Sequence, residues 1–167
     1  VKARFEGTSL GVEVGGQTVH YDVFIDGEKV PTIDSSLDAT FSTDGSGTYI
    51  IAQGLEGGTH SVKIAKRSES QFTSPSTFEG FYIDEGASLL PPENDGDDYL
   101  KLEFIGDSYT VAFGNASLTP NQSEAGRDCT EEQMYGYTDT GRGYGPIAAG
   151  ILGAEYQVNA ISGLGAV

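Results

Sequence analysis

Lys101-Leu102-Glu103-Phe104-Ile105-Gly106-Asp107-Ser108-Tyr109-Thr110 reads as a short apolar strand that runs into a tight turn holding one serine. Leu102, Phe104 and Ile105 make the mostly apolar run expected of a strand buried in a parallel sheet. Gly106-Asp107 ends it. A strand that closes in this way exposes a hydroxyl at the sheet edge, so Ser108 is a candidate nucleophile. The sequence before this stretch reads as all-β, and the sequence after it as α/β.

Downstream, Val111 to Tyr137 has turn residues and little period. Tyr144 to Leu152 then shows Ile147 and Ile151 four apart, with Ala148 and Leu152 beside them. That spacing predicts a helix with one apolar face, and Pro146 is acceptable in its first turn. Gly153 is placed to end it. Tyr156 to Ile161 reads as a second strand, followed by Ser162-Gly163-Leu164-Gly165. Strand, helix, strand is a right-handed βαβ unit. The carboxyl ends of its two strands lie side by side, which brings Ser108 and Gly163 to one edge. Backbone N–H groups there suit the oxyanion that forms when a serine attacks an ester, and a glycine lets the backbone approach the carbonyl.

Upstream, Arg4 to Val14 alternates Phe5, Thr8, Leu10, Val12 and Val14. Gly15-Gly16 turns the chain into a second strand, Thr18 to Ile25, with Val19, Tyr21, Val23 and Ile25 on one face. Asp26-Gly27 signals a hairpin before Lys29 to Ile33. Tyr49 to Ala52, a Gly57-Gly58 turn, His60 to Ala65 and Ser76 to Ile83 continue the pattern, with Val62 and Ile64 facing inward. Short strands with glycine turns predict a jelly-roll β-sandwich over residues 1–83. Tyr21, Phe24, Tyr49, Phe78, Phe81 and Tyr82 suit its core, with a sugar-stacking face as the alternative. Residues 84–99, with Pro91-Pro92 and the acidic run Glu93 to Asp98, have linker composition. They lack the distal glutamate of a calcium loop, so a solvated hinge is expected. Residues 100–167 form the second domain.

A net charge of −16 argues against a nucleic-acid partner, which needs a basic face. No stretch is long and apolar enough for a membrane span, and no signal peptide begins the chain, so a secreted protein would start at a processed or truncated Val1. Cys129 is the single cysteine and reads as a small buried apolar residue, with a disulfide to other chain as the alternative. With two histidines besides, no metal site is expected, and no cofactor. The histidines, His20 and His60, both fall in strands of the sandwich, where a structural role is expected. Asn115 and Asn121 begin Asn-x-Ser triplets, which matter only where glycosylation occurs.

Phe104-Ile105-Gly106-Asp107-Ser108-Tyr109-Thr110 resembles the first motif block of the SGNH, or GDSL-like, hydrolases. It departs from the nucleophile elbow of the α/β-hydrolases, whose second glycine is replaced here by Thr110. Ile161-Ser162-Gly163 looks like the second SGNH block. Phe5-Glu6-Gly7-Thr8, Ile25-Asp26-Gly27, Gly58-Thr59-His60-Ser61-Val62 and Lys66-Arg67-Ser68-Glu69 resemble carbohydrate esterase family 2. The resemblance runs across essentially the whole chain.

The resemblance implies a β-sandwich followed by the start of a three-layer, flavodoxin-like α/β/α hydrolase domain. It implies Ser108 as nucleophile, the Ser108 and Gly163 N–H groups as oxyanion donors, and Asp107 as a turn-stabilising residue. The implied activity is removal of O-acetyl groups from xylan, glucomannan and related plant polysaccharides by a secreted enzyme. The third block, with its asparagine donor, and the last, with its histidine base, are not recognisable. The chain reaches only the second strand of a sheet expected to have about five. Part of a longer esterase, or a piece that pairs with other chain, is therefore expected. The alternative is a non-catalytic carbohydrate-binding or structural, assembling protein on the same scaffold, whose exposed sheet edge invites pairing.

Overall fold

The computed structural model describes residues 1–16, 19–31, 40–43, 45–69, 76–93, 100–117 and 131–164. Cys129, Asn121, Gly165 and the acidic run 94–98 lie outside them. The described part is mostly antiparallel β structure with few helices, as suits an amino-terminal β-sandwich. Two compact units divide the chain. The first comprises Val1–Lys66 and Thr73–Asn94; the second comprises Arg67–Phe72 and Asp95–Val167. Residues 67–72, read from the sequence as part of the first domain, cluster with the second unit.

The first unit holds β1 (Lys2–Gly15), β2 (His20–Ile25), β3 (Glu28–Lys29), β4 (Phe41–Ser42), β5 (Gly47–Lys66), β6 (Thr77–Ile83) and β7 (Leu89–Leu90). They run in the order β3-β2-β5-β1-β6, with β4 also on β2 and β7 also on β1. Asp26 and Gly27 both take positive φ, the backbone that a tight hairpin between β2 and β3 demands. Phe5, Leu10, Val12, Val14, Val19, Tyr21, Val23, Phe41, Ile51, Val62 and Ile64 are buried in one apolar cluster. Four details depart from the sequence reading. Gly57-Gly58 is no turn, because β5 runs through it unbroken and Gly58 pairs with Gly7. Strand β2 is buried on both faces, so His20 and Asp22 are inside with Tyr21 and Val23. The stretch 84–90, read as linker, carries β7, which pairs with Arg4 and Phe5. Strand β4 was not foreseen.

Strand β1 also shows why a simple alternation fails. Its buried positions switch from odd (Ala3, Phe5) to even (Leu10, Val12, Val14). A register shift between Gly7 and Ser9 supplies the extra residue. The Asp84 carboxylate holds this bulge, accepting from the Thr8 N–H at 2.6 Å, the Thr8 hydroxyl at 3.0 Å, the Ser9 N–H at 3.3 Å and the Ser9 hydroxyl. Those bonds, led by the Ser9 hydroxyl, lower the Asp84 pKa to about 2.

The second unit carries β8 (Lys101–Gly106) and β9 (Glu155–Ala160), paired in parallel from Lys101–Glu155 to Gly106–Ala160. Between them come α1 (Ser108–Val111), α2 (Glu131–Gly136), a 3-10 turn (Thr140–Arg142) and α3 (Tyr144–Leu152). Helix α3 has the predicted limits, and Gly153 closes it in the left-handed conformation. Its buried face is not the predicted one. Gly145, Pro146 and Ala149 are inside, while Ile147, Ile151 and Leu152 are exposed. The reason is local: a Cβ on Gly145 would come within 2.8 Å of the Phe104 ring, so only glycine lets the helix sit on β8 by that side. Strand β8 is half-buried rather than enclosed, with Ile105 exposed, and among the described residues it pairs with β9 alone. Helix α2, inside a stretch read as turns, is too short to show a period.

Candidate active site

Ser108 is the first residue of α1, directly beyond the end of β8. Asp107 makes the corner. Its backbone is extended, its Oδ1 accepts from the Tyr109 N–H at 3.0 Å, and its carbonyl accepts from the N–H groups of Thr110 and Val111 at 3.0 Å. This is an N-cap, which satisfies donors that the start of a helix leaves unpaired. Gly106 is required for space, because a Cβ there would lie 2.2 Å from the Thr110 hydroxyl oxygen. That hydroxyl instead meets Tyr144 Oη at 2.9 Å. Ser108 is left half-buried, and among the described residues its hydroxyl makes no hydrogen bond.

The parallel ladder continues one step past β9, where the Ile161 N–H donates to the Gly106 carbonyl at 3.2 Å. Ser162 and Gly163 therefore follow β9 at the same end of the sheet at which Asp107 and Ser108 follow β8. The Leu164 N–H closes the turn on the Ile161 carbonyl at 3.2 Å, with Gly163 at a φ of 80°. Those two predicted positions are brought together.

A buried polar cluster, not foreseen from the sequence, supports them. Arg67 is 1% exposed, and its guanidinium lies 3.3 Å from Asp139 Oδ2, which Arg142 also approaches at 3.2 Å. The Arg67 carbonyl accepts from the Thr140 N–H at 3.1 Å. The Thr140 hydroxyl lies 2.7 Å from that same carbonyl and 3.0 Å from the carbonyl of Val111 in α1. The Tyr135 hydroxyl donates to the Glu69 carbonyl, and Glu69 Oε2 accepts from the Ser162 N–H at 2.6 Å. Asn115 lies beside this cluster, its amide paired with both backbone groups of Asp139 at 2.8 and 3.0 Å. The one sequence signal was a charged Arg-Ser-Glu run directly after a strand.

Neither histidine belongs to this unit. His60 Nδ1 lies 2.7 Å from Asp26 Oδ2 and its Nε2 lies 2.7 Å from the Glu56 carbonyl, so both ring nitrogens are engaged. The bond to Asp26, then that to Glu56, raises the His60 pKa against the opposing effect of burial. On Asp26 burial pushes upward, but hydrogen bonds from His60 and Ser61 outweigh it and lower the pKa. His20 Nδ1 meets the Ser42 hydroxyl at 2.6 Å. Among the described residues no group of three His, Cys, Asp or Glu side chains is placed to hold a metal. No helix among them is long and apolar enough to cross a membrane.

Residues 1–92 match the family model described as carbohydrate esterase 2 N-terminal. The chain belongs to carbohydrate esterase family 2. Two relatives agree. An acetylxylan esterase / glucomannan deacetylase of Cellvibrio japonicus is 33% identical over 98% of the chain and 40% of its own length. The cellulase/esterase CelE of Acetivibrio thermocellus is 31% identical over 99% of the chain and 18% of its own length. Among solved structures, a family two carbohydrate esterase from Clostridium thermocellum in complex with cellohexaose superposes with a TM-score of 0.76 at 27% identity. It matches 98% of this chain and 45% of the other. The chain thus spans less than half the length of these family members.

Proposed function

We propose that Ser108 is the nucleophile of an SGNH-type carbohydrate O-acetylesterase acting on plant polysaccharides of the xylan or glucomannan kind. The observation that carries this is the Ser108 hydroxyl at the head of α1, unbonded among the described residues, at the same sheet end as the Ser162–Gly163 turn. In the reaction Ser108 Oγ attacks the acetyl carbonyl while a base takes its proton. The N–H groups of Ser108 and Gly163 hold the oxyanion, and the sugar oxygen leaves with a proton. Water then cleaves the acetyl-serine, releasing acetate and restoring the hydroxyl. His60 is engaged at both ring nitrogens and His20 is buried against the Ser42 hydroxyl, so neither is assigned as the base, which we place outside this chain. The exposed apolar side of α3 and the edge of β8 that is unpaired among the described residues fit further strands and helices of an α/β/α domain covering them. The acetylxylan esterase / glucomannan deacetylase relative supports an acetylated-polysaccharide substrate, and action on such a polymer is proposed to take place outside the cell.

The test is acetate release from acetylated xylan by the complete protein. Replacing Ser108→Ala is expected to lower it by at least about a thousandfold. Full activity in that variant refutes the assignment.

A second reading, polysaccharide binding without turnover, is favoured by the engaged histidines and by the cellohexaose complex of the Clostridium thermocellum esterase. Saturable oligosaccharide binding with no acetate release would select it.

A further inference from the structure

We propose that Glu69 is a positioning residue for the oxyanion donor, fixing the turn from which the Gly163 N–H points. The inference rests on the esterase reading of Ser108 and Gly163, and goes beyond it by assigning a residue far from either in sequence. Glu69 Oε2 accepts from the Ser162 N–H at 2.6 Å, across 93 positions of sequence. Both residues are buried. The Ser162 and Gly163 N–H groups lie in successive peptide planes hinged at the Ser162 Cα, and the bond from the Leu164 N–H to the Ile161 carbonyl at 3.2 Å restricts that hinge, so holding the first N–H constrains where the second is aimed. A charged acceptor at that distance makes one of the stronger hydrogen bonds available to a backbone amide.

Two further observations separate this from an incidental contact. Glu69 Oε1 is buried and, among the described residues, makes no hydrogen bond. A carboxylate buried with one oxygen unpaired is a poor stabiliser of a fold, because its desolvation is only partly offset. Its presence calls for another reason, and the turn that it holds supplies one. The second observation is that the segment carrying Glu69 is tied to α1 as well. The Arg67 carbonyl and the Val111 carbonyl share the Thr140 hydroxyl, and the Glu69 carbonyl is bonded by Tyr135. One tripeptide, Arg67-Ser68-Glu69, therefore touches the Gly163 turn directly and the Ser108 helix through Thr140. It sets the separation between nucleophile and donor, which has to hold to well within an ångström for the tetrahedral oxyanion to be stabilised.

The experiment compares Glu69→Ala and Glu69→Gln in the complete protein, selectively labelled with 15N-serine, on a nitrophenyl acetate. In the unsubstituted protein the Ser162 amide is expected far downfield and slow to exchange. In Glu69→Ala it moves upfield and exchanges faster, kcat falls about tenfold to a hundredfold, and KM stays within about twofold. Glu69→Gln keeps an acceptor oxygen and is expected to recover much of both signals. Should Glu69→Ala fail to fold, the glutamine variant carries both readouts through its smaller loss. A folded Glu69→Ala variant with unchanged kcat, or with an unchanged Ser162 amide, overturns the proposal, as does a glutamine variant indistinguishable from the unsubstituted protein in both readouts where the alanine variant does not fold. Absence of acetate release from the unsubstituted protein refutes the esterase reading instead, and the Ser162 amide then decides alone whether Glu69 fixes the turn.

Discussion

The two units are held together by different chemistry. In the first, the buried apolar side chains form one cluster, beside buried His20 and Asp22 and with Thr40 and Thr43 lending hydroxyls to the Val23 and Val19 N–H groups at 3.0 Å. In the second, Val111, Tyr135 and Ala149 are the buried apolar residues among those described, against Arg67, Ser68, Glu69, Thr110, Thr138, Asp139 and Ser162. Apolar burial is non-directional and forgiving, whereas a polar interior works only when each partner is in place. The proposed site, which would hold two backbone donors and a hydroxyl in fixed relation, would be better served by the second arrangement.

Three perturbations probe that contrast. Arg67→Ala leaves Asp139 buried with its exposed partner Arg142 only, and is expected to destabilise the second unit by about 3–5 kcal/mol. Amide exchange should rise around Thr138–Arg142 and Ser162 while the strands of the apolar cluster keep their protection. Equal loss in both units would break the comparison. Leu10→Ala, in the opposite unit, should cost about 2–5 kcal/mol through the cavity it opens, read from a denaturant midpoint. A smaller loss would mean that the apolar cluster collapses into the space. The mildest test is acid. Asp84 has a pKa of about 2 against an ordinary 3.8, so its contribution is fully present above pH 3.8 and is lost as pH falls towards about 2. Asp84→Asn should flatten the pH dependence of unfolding in that window, and an unchanged slope would show that the bulge holds itself.

How much of this was readable from the sequence follows from the same contrast. Alternation located β1 and β2, and aromatic residues located β6, although the bulge in β1 and the burial of both faces of β2 break the simple period. It misplaced the Gly57-Gly58 turn, because paired glycines in a long strand look like punctuation when the bulge opposite them is unseen. The Gly153 cap and the limits of α3 were legible, but its buried face was not. Gly145 against Phe104 decides that face, and a glycine carries no hydrophobic signal. Ser108 and Gly163 stood out as turn residues after apolar strands. Arg67 and Glu69 were visible only as part of the Lys66-Arg67-Ser68-Glu69 stretch that resembles the family, and Asp139 and Thr140 not at all, since contacts 73 and 93 positions apart leave no local periodicity.

The Asn115 bridge bears on how the protein is produced. Its amide pairs in plane with both backbone groups of Asp139, using the hydrogen that lies on the same side as the carbonyl oxygen. In a glycosylated asparagine the sugar occupies that side. Glycan and bridge therefore compete for one position. A eukaryotic secretory host that modifies this Asn-Ala-Ser triplet would turn out molecules with the Asp139 anchor cut, whereas a bacterial host leaves the amide bare. The choice of expression system would then show in thermal stability before any substrate is added.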